Sequence, residues 1–354
     1  MEKIRYALIG FGGIAENRIA KEGFAMDKER FSPLHNAELT GATDINPDIK
    51  NNVETLGLTW YDSADEIFKS QDIDAVYIAT NNLSHFPLAK TALEAGKHVI
   101  LEKPVATKTE HAEELVRLAE EKKLSLSVDH MMVYNAYNIS AKELISSNTL
   151  GNINDIVLHM EFFYGSTPEE AATWRCSKPE ELGGPIGDVA SHCLYMAEFL
   201  LSDEIISIQA SYIPKILNIA AEDGAFIQFK TKQGKTGSIR VSFNAPRGNL
   251  HSTLLNLGYE VYGDKKSITA SGTLFQFSGH AGEPINMKVK LHTENEVEEI
   301  KPGEINNIYQ NVIEAHARSI QSDELLSGKD SLHNLKLILA SHESATKSGK
   351  EICL

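Results

Sequence analysis

The sequence predicts a two-domain α/β protein, with an N-terminal doubly wound parallel sheet followed by an α+β domain built on a large, mainly antiparallel open sheet. Three observations lead to this fold class. The 354 residues exceed what one average hydrophobic core accommodates. Short apolar runs alternate with helical patterns up to residue 128, as in parallel sheets. Beyond residue 130, longer strand patterns separated by turn residues replace them.

The first domain is assigned to residues 1–128. An apolar, β-rich run at 4–9 stops at Gly10 and a helical pattern begins around Ile14, which indicates a strand, a glycine turn and a helix. Further strands are predicted at 38–43, 74–79, 97–101 and 124–128, and helices at 63–70, 84–95 and 108–122. The last of these helices is amphipathic, because its apolar residues share one face.

The second domain is assigned to residues 129–354 and is expected to bind substrate and to form oligomer contacts. It opens with a helical pattern at 137–147. Strands are predicted at 153–164, 205–213, 224–231, 236–243, 254–262, 266–270 and 287–292. Helices return at 305–321 and 331–347, with Gly349 as a C-terminal cap, and we allow for these helices packing back toward the first domain.

Composition and charge exclude several classes of function. Lysine and arginine number 34 against 49 aspartate and glutamate, and the formal net charge of −15 disfavours nucleic acid as a partner. No run approaches the ~20 apolar residues of a membrane span, and the start of the chain lacks the pattern of a secretory signal. The three cysteines lack metal-ligand spacing, so we expect a cytoplasmic protein without a structural metal.

The glycine turn matches the G-x-G-x-x-A pattern of dinucleotide-binding Rossmann folds. The first glycine permits the tight turn, the second lets a pyrophosphate approach the backbone, and the alanine allows close packing of helix on strand. The alternative is an ordinary glycine-rich turn, which the surrounding strand and helix make less favourable. The predicted cofactor-binding residues here are Gly10, Gly12, Gly13, Ile14 and Ala15.

Asp44, at the end of the second predicted strand, is the expected ribose ligand. A carboxylate there accepts hydrogen bonds from ribose hydroxyls and repels a 2′-phosphate. Ile45, a second predicted cofactor contact, and Asn46 bring no basic residue, so NAD(H) is predicted over NADP(H). Asp44 lies 29 residues beyond Ala15 rather than the usual ~20, which makes 21–36 an enlarged helix end or loop. It is either a surface excursion or a lid or subunit contact.

The segment 80–104 resembles the signature of the glucose-fructose oxidoreductase / inositol dehydrogenase / MocA (Gfo/Idh/MocA) family. In that family a strand ends near Thr80-Asn81, a helix carries His85, and Glu102-Lys103-Pro104 closes the fifth strand, often with a cis bond before the proline. The resemblance, which covers essentially the entire chain, implies that Thr80, Asn81, His85, Glu102 and Lys103 contact the cofactor. Lys103 is expected at the junction of cofactor and substrate.

The segment 183–192 is similar to the family's G-G-x-x-x-D-x-x-x-H element. Asp188 and His192, four residues apart, project from one face of a helix. Taken alone, such a pair is more often a surface pair or a core histidine, but the two motifs together favour function. Trp174 and Arg175, just upstream, could stack on a sugar and donate to a hydroxyl, or be structural.

The segment 128–135 departs from many relatives of this family. They carry a basic residue facing the pocket, whereas Met131 and Met132 stand here, which argues against a phosphate or carboxylate substrate. His130 is either a substrate ligand or a buried hinge histidine.

The resemblance implies reversible hydride transfer between a secondary alcohol of a sugar-like or polyol-like substrate and NAD. His192 is the expected general base, Lys103 stabilises the developing alkoxide, and Asp188 holds the histidine or a neighbouring hydroxyl. Two alternatives are an NAD-recycling, deglycosylating enzyme that works through a transient keto-sugar, and a non-catalytic NAD(H) sensor. A homodimer or homotetramer is expected, because the few helices predicted after residue 150 cannot cover the open face of the large sheet, and an uncovered apolar face needs a partner.

Overall fold

The computed structural model of the chain describes residues 2–244, 257–272 and 287–354. Its strands are β1 (Ile4–Ile9), β2 (Ala37–Thr43), β3 (Thr59–Trp60), β4 (Ala75–Ile78), β5 (His98–Leu101), β6 (Leu126–Val128), β7 (Ile153–Glu161), β8 (Ile205–Tyr212), β9 (Gly224–Thr231), β10 (Thr236–Ser242), β11 (Leu257–Gly263), β12 (Ser267–Ser271), β13 (Lys288–His292), β14 (Val297–Glu299) and β15 (Ile352–Cys353). Its α-helices are α1 (Lys50–Thr55), α2 (Ala64–Lys69), α3 (Asn82–Glu94), α4 (Thr109–Lys122), α5 (Ala136–Ser146), α6 (Pro168–Ala172), α7 (Trp174–Ser177), α8 (Ser191–Leu201), α9 (Ile308–Ser322) and α10 (Lys329–Thr346). The helical segments also include two π-helices, Ala15–Gly23 and Ile186–Ala190, and the 3₁₀ turns Pro47–Ile49, Met131–Tyr134 and Pro179–Glu181.

The described chain divides into two compact units. The first holds residues 2–131 and 306–335, and the second holds 336–354 with the described parts of 132–305. The first unit therefore takes α9 from late in the sequence. The division into autonomous domains at residues 128 and 129 stays a prediction.

The first unit contains the expected parallel sheet. Its six strands follow the order β3-β2-β1-β4-β5-β6, and every pairing among them is parallel. Strand β4 is buried along its whole length, as expected for a strand covered on both faces. This order places a strand-order switch between β1 and β4, where dinucleotides bind in such sheets. The doubly wound fold class is confirmed.

Buried polar groups line the interface between this sheet and α9. The hydroxyl of Tyr6 lies 2.7 Å from Nδ1 of His316, and Nδ1 of His98 accepts from the amide of Ser125 at 2.9 Å. The hydroxyls of Ser125 and Ser319 are 2.8 Å apart. Pairing offsets the cost of burying these groups, because a buried polar group without a partner destabilises a fold. Helix α9 is thus joined to the sheet by hydrogen bonds as well as by apolar packing.

The segment 21–36 is packed against α9. The side chains of Phe31 and Leu34 are buried. The side-chain amide of Asn36 donates to the carbonyl of Glu314 at 2.9 Å, and that of Gln310 donates to the carbonyl of Ser32 at 3.2 Å. These contacts favour the interpretation of the segment as a surface excursion; the lid and the subunit contact stay predictions.

The second unit contains a sheet of nine strands among the described residues, in the order β14-β13-β12-β11-β7-β10-β9-β8-β15. Only the pairing of β7 with β10 is parallel; the other described pairings are antiparallel. The mainly antiparallel sheet is thereby confirmed. Residues 254–256 of the predicted strand 254–262 lie outside the described residues.

The exposed face of this sheet is mostly polar, so the expectation of an uncovered apolar face is wrong. Strand residues alternate between the two faces, and the outward positions of β8, β9 and β10 are largely polar. A groove of about 560 Å³ on this face is lined in part by Gln209, Ser211, Gln228, Arg240 and the half-exposed Phe226. None of the predicted site residues lines this groove.

Candidate active site

The glycine turn after β1 requires glycine at its first position. Gly10 has a φ of +89°, and a Cβ there would lie 2.7 Å from the carbonyl oxygen of Ala79. Gly12 and Gly13 have open space where a Cβ would stand. Ala15, by contrast, is buried in the packing of the helix on the sheet. The turn therefore leaves backbone accessible beside a helix start, which fits a pyrophosphate.

The carboxylate of Asp44 is held directly against this turn. One oxygen accepts from the amide of Phe11 at 2.7 Å, and the other accepts from the amide of Asn46 at 2.8 Å. Each carboxylate oxygen has a second lone pair, so Asp44 can also accept from ribose hydroxyls. The side chain of Ile45 is fully exposed. The glycine turn and Asp44 together fit the adenosine half of NAD.

Residues after β4 and β5 form a second part of the site in the first unit. His85, in α3, is fully buried, with Nδ1 2.7 Å from the carbonyl oxygen of Pro104 and Nε2 3.3 Å from that of Thr80. Its ring therefore connects the turn after β4 to the turn after β5. The bond between Lys103 and Pro104 is cis, as the resemblance implied. Direct contact of His85 with a cofactor stays a prediction.

Asn81 and Glu102 occupy the same edge of the sheet. The amide oxygen of Asn81 accepts from the hydroxyl of Ser84 at 2.7 Å, directly before α3. Glu102 is half-buried and follows the last residue of β5. Because the carboxyl ends of parallel strands meet at one edge, these residues lie where the fold places ligand contacts.

A buried acid beside Lys103 was missed by sequence reasoning. Asp129 is almost fully buried and accepts from the hydroxyl of Tyr77 at 2.6 Å. Burial, together with the carboxyl of Glu102, raises the pKa of Asp129 well above its usual range, although Tyr77 and Lys103 oppose the rise. Its position one residue after β6, at the same edge as Glu102 after β5, is the signal that could have identified it.

His130 is buried next to this acid. Burial, opposed by Asp330 and aided by Lys103, lowers the pKa of His130 to about 4. The imidazole is therefore neutral near pH 7, which suits a hydrogen-bonding group better than a cation. Its role as a substrate ligand stays a prediction.

In the second unit, Asp188 and His192 lie on one continuous helical stretch. Asp188 belongs to the π-helix Ile186–Ala190, and His192 is the second residue of α8. Single π turns inside helices are frequent at functional sites. Asp188 is half-buried and His192 is 7% exposed. The two groups that the sequence predicted as a catalytic pair are carried by one rigid element.

Arg175 and Trp174 in α7 complete this cluster. Nε of Arg175 lies 3.5 Å from a carboxylate oxygen of Asp188, and its guanidinium lies 4.4 Å from the centre of the Trp174 ring. A Cβ at Gly183 would stand 2.2 Å from the carbonyl oxygen of Arg175, so glycine is needed for this close approach. A cation, an anion and an aromatic face are thereby brought together, although the residues are up to 14 positions apart.

Two absences among the described residues bear on function. No group of three or more His, Cys, Asp or Glu side chains there could hold a metal ion. None of the described helices combines the length and apolarity that a membrane crossing needs.

Comparison with known families gives two matches that together span most of the chain. Residues 4–130 match the oxidoreductase family with an NAD-binding Rossmann fold, and residues 139–269 match the GFO/IDH/MocA C-terminal domain. The first match agrees with the glycine turn and Asp44, and shows that the first unit carries an NAD-binding Rossmann fold.

Several relatives are named as sugar oxidoreductases. The chain is 26% identical to 1,5-anhydro-D-fructose reductase of Ensifer adhaerens, over 78% of this chain and 79% of that protein. It is 30% identical to glucose-6-phosphate 3-dehydrogenase of Bacillus subtilis, over 58% of this chain but only 56% of that protein. Levoglucosan dehydrogenase in complex with NADH and levoglucosan has a similar fold, with a TM-score of 0.82 at 20% identity over 100% of this chain and 99% of that one.

Proposed function

Because the chain belongs to the glucose-fructose oxidoreductase / inositol dehydrogenase / MocA family of oxidoreductases, we propose that it transfers a hydride between NAD and a sugar, glycoside or cyclitol. The reacting group is a secondary alcohol or the corresponding ketone. The observation that carries this proposal is the cluster of Arg175, Asp188 and Trp174. Charged donors and acceptors beside an aromatic face suit a polyhydroxylated ring better than an apolar or a highly charged molecule.

The preferred cofactor is NAD(H). Asp44 presents its carboxylate at the glycine turn, where it can accept hydrogen bonds from ribose hydroxyls and repels a 2′-phosphate. Bound NAD would supply the hydride acceptor, and the protein contributes orientation and electrostatics. Residues 10–15, together with Thr80 and Asn81, line the cofactor in this proposal.

The chain's own residues move the proton and stabilise charge. His192 takes the proton of the reacting hydroxyl, since imidazole can do so near neutral pH. The Lys103 ammonium stabilises the alkoxide that develops as the proton leaves, or polarises the carbonyl in the reverse direction. Asp188, already paired with Arg175, fixes the orientation of substrate hydroxyls or of His192.

A substrate screen tests this proposal. Unphosphorylated sugars, glycosides and inositols are incubated with the purified protein and NAD, and NADH formation is followed by absorbance. Glucose 6-phosphate serves as a charged comparison, which we expect to be a poorer substrate than glucose. Mass spectrometry identifies any NAD that remains bound through purification. Product release without net NADH would instead support the NAD-recycling reaction, and the absence of any conversion would contradict both.

A matched pair of variants tests the role of Arg175. Arg175→Lys keeps the charge but loses the planar guanidinium, so we expect KM for the sugar to rise about tenfold. Arg240 is the control, because it is also ion-paired, to Glu161 at 2.7 Å, and lies over the ring of Phe226. Arg240→Lys should leave KM unchanged. Equal effects of the two substitutions would contradict the substrate-binding role.

A further inference from the structure

The loop 213–223, which joins β8 to β9, is firmly held although its surface is exposed. At its base, the amide of Ile213 donates to the carbonyl of Gly224 at 3.1 Å. The buried carboxylate of Asp223 accepts from the amides of Ile216 and Leu217 at 2.6 and 2.8 Å, and from the side chain of Asn244 at 2.7 Å. These bonds give the loop a defined conformation.

The same loop is docked on the helix that carries Arg175. The carbonyl of Cys176, the next residue after Arg175, accepts from the amides of Ala220 and Ala221 at 2.9 and 3.0 Å. The side chains of Cys176, Ile219 and Ala221 form a small buried cluster beneath the loop. A displacement of the loop therefore displaces α7.

One residue of the loop reaches the helix that carries Asp188 and His192. An oxygen of Glu222 accepts from the amide of Ile186 at 2.8 Å, at the start of that helical stretch. Gly184 has a φ of +61°, and a Cβ there would stand 2.6 to 2.8 Å from the Glu222 carboxylate. A carboxylate at a helix start is favourable, because it satisfies an unpaired amide and meets the positive end of the helix dipole.

We propose that Glu222 is a positioning residue that sets the spacing between Asp188 and Arg175. The loop is hydrogen-bonded to both helical segments. It donates to the carbonyl of Cys176, one residue after Arg175, and its Glu222 accepts from the amide of Ile186, two residues before Asp188. The inference rests on the proposed function, in which these two groups hold the substrate. Loop 213–223 then affects substrate selectivity because it holds α7, which carries Arg175, and the helical stretch that carries Asp188.

Glu222→Ala removes the acceptor and is the main test. We expect kcat/KM for the sugar to fall about tenfold to a hundredfold with NAD affinity unchanged, because small misplacements of binding groups have effects of that size. Glu222→Gln keeps a neutral acceptor and should restore most of the activity. If Glu222→Ala fails to fold, Glu222→Asp takes its place, because the shorter side chain withdraws the carboxylate from the amide of Ile186.

Glu198→Ala is the matched control. Glu198 lies on α8 and accepts from the amide of Ile205 at 2.7 Å, a comparable bond far along the same helix from Asp188. It should lower the melting temperature while leaving kcat/KM per folded molecule as in the parent. Equal losses of kcat/KM in Glu198→Ala and Glu222→Ala would show that Glu222 contributes only to stability and would overturn the proposal.

A fluorescence measurement tests the positioning role of Glu222 independently of the proposed enzymatic function. The chain has two tryptophans, so in a Trp60→Phe background the emission comes from Trp174, over whose ring Arg175 lies. We expect Glu222→Ala to shift this emission and its iodide quenching, and Glu198→Ala to leave both unchanged. A parent protein that converts no sugar would overturn the proposed function alone. Unchanged Trp174 emission and kcat/KM in Glu222→Ala would overturn the positioning role.

Discussion

Protonation of His316 is expected to weaken the first unit as the pH falls. The imidazole is fully buried against Tyr6, and burial, reinforced by His98, lowers the pKa of His316 to about 3 from an ordinary value of 6.5. Between these two values the unfolded chain binds a proton at this site that the folded protein excludes. The stability linked to His316 is therefore complete above pH 6.5 and is lost progressively below it.

The size of the loss in stability follows from the number of pH units between 6.5 and the final pH. Each pH unit corresponds to about 1.4 kcal/mol, so acidification from pH 7.5 to pH 5 should remove about 2 kcal/mol from the free energy of unfolding through His316 alone. His130, whose pKa is lowered to about 4, adds a similar loss over the same range.

Urea unfolding between pH 5 and pH 7.5 measures this loss. In a Trp174→Phe background the remaining Trp60 reports on the first unit. His316→Gln removes the titrating group, so it should reduce the pH-dependent loss by about 2 kcal/mol. Tyr6→Phe is the control: it lowers stability by about 1 kcal/mol at every pH, because it removes a buried hydrogen bond without removing the histidine. A pH dependence in His316→Gln equal to that of the parent would refute the reasoning.

Three further predictions concern cofactor, chemistry and assembly. Asp44→Ser with Ile45→Arg should shift preference toward NADP, measured as the ratio of kcat/KM values; equal use of both cofactors by the parent would count against Asp44 as the selector. Lys103→Met and His192→Asn should each reduce turnover at least about a hundredfold with NAD affinity nearly unchanged, and near-normal activity per folded His192→Asn molecule would show that another group is the base. Because the exposed sheet face is mostly polar, a homodimer or homotetramer rests on the family resemblance alone; light scattering at micromolar concentration should show that assembly, and a monomer would contradict it.

The parallel sheet could be predicted because its signals are local. A strand, a glycine turn and a helix follow one another within residues 4–23, and the structure places them in that order. The carboxylate of Asp44 lies beside the turn because β2 pairs in parallel with β1, a consequence of the strand order. Strand β3, with two residues, is too short for any periodicity and was not predicted.

The pairings in the candidate site could not be predicted because they depend on close backbone approach. Arg175 meets Asp188 only because Gly183 lets two segments come together. Glu222 lies 36 residues from its partner amide, and no motif links the two positions. The expectation of an apolar sheet face failed for a different reason: it was inferred from the number of helices, whereas the face a strand exposes depends on alternate residues.

Helix α9 has a consequence for the order in which the protein can be made. The parallel sheet begins at residue 4, yet the helix that hydrogen-bonds its Tyr6 and Ser125 begins only at Ile308. During synthesis the sheet strands leave the ribosome long before their polar groups can meet His316 and Ser319. A nascent chain or a fragment ending at residue 131 would expose this face to water. The nucleotide-binding half of the molecule is thus completed only after residues 308–322 have been translated, and a truncation before α9 cannot isolate it intact.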